Sequence, residues 1–134
     1  MIKTFCIIML FTALFLLTAG CVGEQPASPG SVAIFDNSND GETYPVQVGS
    51  EVRLKLIENP TTGYEWNLMV PDGISITGDE FEAPTTDLMG APGTHIWTMK
   101  VGTAGTYTIE GKYVRSWETD ADPAETFTLT LIAS

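Results

Sequence analysis

From residue 31 onward, apolar and polar residues alternate in short runs, and no stretch sustains a helical period. Val52, Leu54 and Leu56 alternate with Glu51, Arg53 and Lys55, while Phe127, Leu129 and Leu131 alternate with Thr126, Thr128 and Thr130. A period of two puts one face of a strand in a core and the other in water. The pattern predicts eight strands, over residues 31–35, 44–48, 51–57, 64–69, 74–81, 95–101, 106–114 and 126–132. Short strands with turn residues at about 8- to 12-residue spacing predict an all-β fold, an immunoglobulin-like antiparallel β-sandwich. Trp66 faces the same way as Tyr64 two residues earlier, and its simplest place is the core, like the buried Trp of immunoglobulin domains.

The first 30 residues do not share this pattern. Lys3 is followed by an uncharged run of 13 residues from Phe5 to Leu17, too short for a comfortable membrane span and suited to a signal peptide. The run ends in Leu17, Thr18, Ala19, Gly20 and Cys21, which resembles a prokaryotic lipobox, in which the cysteine is acylated and becomes the new N-terminus. The alternative is an ordinary signal peptide cut near Ala19 or Gly20, leaving a free thiol. Residues 1–20 are thus read as a lipoprotein signal peptide, 21–30 as a lipidated Cys21 with a Pro/Gly-rich flexible tether, and 31–134 as one domain. On this reading the protein is exported and anchored by lipid to the outer face of the cell membrane, or to the periplasmic side where an outer membrane exists. With Cys6 removed and Cys21 acylated, no thiol remains for a disulfide, a catalytic cysteine or a Cys-ligated metal.

Charge narrows the partners. Residues 21–134 hold five basic residues against all 17 acidic ones, net −12, which argues against a nucleic acid and against attraction to anionic lipid. The chemistry of an enzyme is also hard to assemble. His95 is the sole histidine and lacks a nucleophile signature, so it reads as a half-buried strand residue. Asp79, Glu80 and Glu82 read as solvated edge-strand charges rather than a glycosidase pair, and Asp120, Asp122 and Glu125 lack the pattern of a calcium loop. No catalytic residue, metal ligand or cofactor is assigned, and a monomer is expected.

Three segments between the strands are richer than connectors need, and sandwich loops cluster at two ends where binding chemistry is commonly placed. In the first, Asn59, Pro60, Thr61, Thr62 and Gly63 form a turn stiffened by proline and closed by a glycine free to take a positive φ, with two hydroxyls at its tip. A plain turn would use the same residues. The second holds Gly90, Ala91, Pro92 and Gly93, small residues whose backbone can approach another chain, or which merely connect. In the third, Arg115 and Trp117 open an acidic loop, where an exposed indole suits an interface anchor, or else folds back to cap the sandwich.

In combination and in this order, the three segments resemble the chagasin family of cysteine protease inhibitors, whose immunoglobulin-like domain carries an NPTTG-type loop, a glycine-rich loop and an RPW-type loop. The resemblance covers residues 44–132, and NPTTGY is its most specific part. Pro92 stands where the family usually has another Gly, which removes an amide donor, and Ser116 replaces the usual Pro, which loosens the loop. The resemblance implies reversible, cofactor-independent inhibition of papain-like cysteine proteases. Thr61, Thr62 and Gly63 would enter beside the catalytic cysteine and histidine, Gly90 to Gly93 would lie along the substrate groove, and Arg115 and Trp117 would pack on the leaving-group side. Surface adhesion or carbohydrate binding, and a purely structural envelope domain, are the competing readings.

Overall fold

The computed structural model describes residues 30–134. Residues 1–29, which include the expected signal segment, Cys21 and all of the expected tether but Gly30, lie outside the described residues. Eight strands follow in order: β1 (Val32–Asp36), β2 (Glu42–Val46), β3 (Glu51–Glu58), β4 (Tyr64–Met69), β5 (Ile74–Glu82), β6 (Gly93–Val101), β7 (Gly105–Arg115) and β8 (Glu125–Ala133). They form two four-stranded sheets, ordered β1-β3-β6-β5 and β2-β8-β7-β4. The eight-stranded sandwich is the one the alternation predicts.

Its core is the sum of the alternating faces. Val52 and Leu54 of β3 lie opposite Met99 and Trp97 of β6, and Ile109 of β7 lies opposite Leu129 of β8, all of them buried. Trp66 is buried as expected, and its indole Nε1 donates to the Ile57 carbonyl at 2.8 Å. Its ring packs so close to β7 that a Cβ at Gly111 would lie 3.2 Å from the ring, which accounts for a glycine inside a long strand.

Two pairings depart from the antiparallel expectation. β1 pairs with β3, and β2 with β8, in parallel register. Every strand reverses the direction of the one before it, so strands of equal parity run the same way, and the edge strands β1 and β2, unlike β4 and β5, have partners of their own parity. The same parity places the connections that follow β1, β3, β5 and β7 at one end of the sandwich, and those that follow β2, β4 and β6 at the other.

A second departure lies in β5, where the register with β6 shifts between Ile76 and Gly78. The extra residue of such a bulge exchanges the faces of everything beyond it. Asp79 and Phe81 consequently stand opposite Trp97 and His95, and Asp79, still a solvated edge-strand charge at 63% side-chain exposure, also reaches His95 with its carboxylate at 2.6 Å. Glu80 and Glu82 are exposed, as expected.

Truncation of Trp66 to alanine removes a buried ring and its hydrogen bond from the junction of the two sheets. Trp66→Ala is expected to cost about 3–5 kcal/mol of stability, read as a fall in the denaturant midpoint at an unchanged slope.

Candidate functional site

The chain turns between β3 and β4 through a single 3-10 turn, Pro60–Thr62. Asn59 caps it: Oδ1 accepts from the Thr61 backbone N–H at 3.2 Å and from the Thr61 hydroxyl at 2.6 Å. The Asn59 and Pro60 carbonyls accept from the Thr62 and Gly63 amides, and Gly63 closes the turn at φ 78°. That angle is costly for any residue with a Cβ. From below, the Tyr113 hydroxyl accepts from the Asn59 amide at 2.9 Å. Pro60, Thr61 and Thr62 are left exposed on a turn whose own hydrogen bonds hold it closed.

The neighbouring loop, residues 83–92, is joined to that turn directly. Asn59 Nδ2 donates to the Gly90 carbonyl at 2.9 Å, and Ala91 N donates to the Leu88 carbonyl at 3.3 Å. Gly90 and Pro92 are exposed and Ala91 is half-buried. Gly93 is placed differently from its three neighbours, because it opens β6 opposite Glu58 and is buried. A Cβ there would fall 2.4 Å from the Phe81 ring and 2.5 Å from the Glu82 carbonyl oxygen, so this glycine permits packing rather than contact with a partner. Leu88, 74% exposed, and Met89, fully exposed, stand at the tip instead. Neither was a candidate on sequence grounds. The available signal was an apolar pair between Asp87 and Gly90 in a stretch otherwise made of turn residues.

The third loop follows β7. Arg115 Nε donates to the Thr62 carbonyl at 3.2 Å, its Nη1 meets Glu118 Oε1 at 3.2 Å, and its guanidinium lies 4.3 Å from the Tyr64 ring centroid. Trp117 is 65% exposed and does not cap the sandwich. One edge of its indole rests on Gly63, where a Cβ would come within 2.1 Å of the ring. An unbroken series of stacked groups therefore rises from the core to the tip: Trp66, Tyr113, Tyr64, Arg115 and Trp117.

All three segments thus meet at one end of the sandwich and are bonded to one another. Beside them, Ile57, Asn59, Thr62, Tyr64, Tyr113 and Arg115 line an open groove of about 530 Å³. Among the described residues, no group of three His, Cys, Asp or Glu side chains is arranged to hold a metal ion. His95 reaches Glu58 and Asp79, not the loop tips. The arrangement is one exposed surface whose three segments are held by hydrogen bonds within the domain.

The close seat of Trp117 on Gly63 makes a direct test of this end. Gly63→Ala is expected to displace the indole and to strain the positive φ, costing about 1–2 kcal/mol, with a change in Trp fluorescence. Trp117→Ala removes only an exposed ring and should leave stability within about 0.5 kcal/mol of the parent.

Comparison with known proteins agrees with the geometry. Residues 45–131 match the family described as Chagasin family peptidase inhibitor I42, a span that includes all three loops. Chagasin of Trypanosoma cruzi is 30% identical over 103 residues, covering 72% of this chain and 94% of its own. Amoebiasin-2 of Entamoeba histolytica is 28% identical over 105 residues, 76% of this chain and 85% of its own. Among solved structures, that of the cysteine protease inhibitor EhICP2 from Entamoeba histolytica superposes with a TM-score of 0.73 at 27% identity, covering 77% of this chain and 96% of that one. PbICP-C, solved in complex with falcipain-2, shares the fold at 18% identity and a TM-score of 0.55. The chain is a member of the chagasin family of peptidase inhibitors.

Proposed function

We propose that this protein is a reversible inhibitor of papain-like cysteine proteases, and that it blocks their active-site cleft with the three joined loops. The observation that carries this reading is the direct bonding of the loops: Asn59 to Gly90 on one side and Thr62 to Arg115 on the other. Three contacts already ordered in the free domain leave little conformational entropy to be lost on binding.

The central turn explains why such a protein would block rather than be cut. Proteolysis needs a carbonyl presented on an extended backbone. Here the carbonyls of Asn59, Pro60 and Thr62 are all turned to donors of the inhibitor itself, namely the Thr62 amide, the Gly63 amide and Arg115 Nε. Thr61 and Thr62 enter beside the catalytic pair on a closed 3-10 turn rather than on an extended strand. Gly90, Ala91 and Pro92 lie along the substrate groove with Leu88 and Met89 as apolar contacts, and Arg115 and Trp117 pack on the leaving-group side. No covalent bond and no cofactor is required.

The acylated Cys21 and a tether of nine residues, at most about 30 Å when extended, would hold the inhibitor as a monomer at the outer face of the cell membrane. It would there meet proteases outside the cytoplasm.

Titration of papain with the full chain in detergent is expected to abolish activity at one inhibitor per enzyme, reversibly on dilution. Trp117→Ala should weaken inhibition by about 2 kcal/mol, roughly thirtyfold. Papain left fully active by an excess of folded protein would exclude the reading and leave the adhesion module in its place. For the anchor, Cys21→Ser should abolish incorporation of labelled fatty acid. A parent protein recovered with an alkylatable Cys21 thiol would exclude lipidation.

A further inference from the structure

Beneath the exposed loops, the inner face of the first sheet carries polar side chains where packing alone would favour apolar ones. Glu58, the last residue of β3, is only 6% exposed. Its Oε2 accepts from the Trp66 backbone N–H at 2.9 Å and lies 3.1 Å from His95 Nδ1. On the far side of the ring, His95 Nε2 lies 2.6 Å from Asp79 Oδ1. The imidazole is stacked on Trp97, with centroids 3.9 Å apart and planes at 9°. Among the described residues, no buried side-chain nitrogen or oxygen lacks a partner.

Each link crosses a different boundary. Trp66 belongs to β4 in the second sheet, so Glu58 joins the two sheets just below the turn at residues 59–63. His95 follows Gly93 by two residues, where the 83–92 loop re-enters β6. Asp79, whose side chain is 63% exposed, sits on β5, the strand that leads into that loop, and is brought opposite Trp97 by the bulge at residues 76–78. One series of contacts therefore runs from the base of the first loop to both stems of the second. Partly buried polar contacts of this kind contribute modest net stability, since desolvation offsets much of the attraction. Their directionality is a different matter, because hydrogen-bonded groups admit one arrangement where apolar side chains can slide.

We propose that Glu58 and His95 are positioning residues for inhibition, which set the spacing and angle between the 59–63 turn and the 83–92 loop. The proposal rests on the inhibitor reading and deepens it. Neither residue needs to touch the protease. They act through Trp66 below one loop and through the β5–β6 stems of the other, below the level at which Asn59 and Gly90 make their own contact.

Three variants of the full chain test this: Glu58→Gln, Glu58→Leu and His95→Phe. Each is measured for papain inhibition per folded molecule, for denaturant midpoint, and for amide exchange over residues 59–63 and 83–92 of the free protein. Glu58→Gln keeps an acceptor for Trp66 and a polar neighbour for the ring, and should retain the parent inhibition constant within about threefold. His95→Phe keeps a ring on Trp97 but loses both polar links, and should raise the constant by about tenfold or more, mainly through faster dissociation, with faster exchange in both loops. Glu58→Leu should do the same or more. A residue that only stabilises the fold would move the midpoint and leave inhibition per folded molecule unchanged. That result, in His95→Phe or in a folded Glu58→Leu, overturns the proposal. If Glu58→Leu does not fold, His95→Phe decides alone. If the parent chain does not inhibit papain, the functional reading fails separately, and the exchange comparison still decides whether these residues hold the loops: unchanged exchange in His95→Phe overturns it.

Discussion

The end of the sandwich that carries the three loops depends on one side chain, Asn59. Its carboxamide oxygen closes the turn on Thr61, its carboxamide nitrogen holds the Gly90 carbonyl, and its backbone amide is tied to Tyr113. A primary amide offers both donors and acceptors, and this one uses each on a different segment of the chain. An aspartate could cap the turn equally well but has no donor for Gly90, and a serine has too short a reach. The identity of residue 59 is therefore set by two loops at once.

The second support is stacking. Trp66 is buried and Trp117 exposed, and the series between them passes from apolar packing through Tyr113 and Tyr64 to the Arg115 guanidinium. The aromatic members have only two rotatable side-chain bonds each, so they transmit the rigidity of the core outward at small entropic cost, and the longer Arg115 is fixed by its own hydrogen bonds. Arg115 ends the column with a charge that is shared between the Thr62 carbonyl and Glu118. It thus serves the internal geometry of the site as well as any partner.

Much of this was legible in the sequence, for a physical reason that also marks the limit. Strands β3 and β8 announce themselves because one face of each is buried and the other is wet, so the alternation survives in the sequence. The turn at residues 59–63 is legible because proline, threonine and glycine each meet a local backbone requirement. What was missed depends on partners far away in the chain. The parallel edges follow from which strands pair, and nothing local to β1 or β2 encodes it. A one-residue bulge in β5 brings Asp79 onto His95 while leaving it largely in solvent, and nothing local to Asp79 encodes that partner. Gly93 belongs to a strand because Phe81 leaves no room for a side chain, and Leu88 and Met89 are surface features because their loop has no core to fold onto.

Strand parity has one more consequence. β1 runs toward the loops, so the chain enters the domain at the opposite end, where Ser134 also lies against Val48. A sandwich whose strands hold about eight residues is some 26 Å from end to end, at about 3.3 Å per residue. Whatever precedes the domain in the chain is therefore joined to it at the end farthest from the three loops, and strand parity alone keeps that connection clear of them.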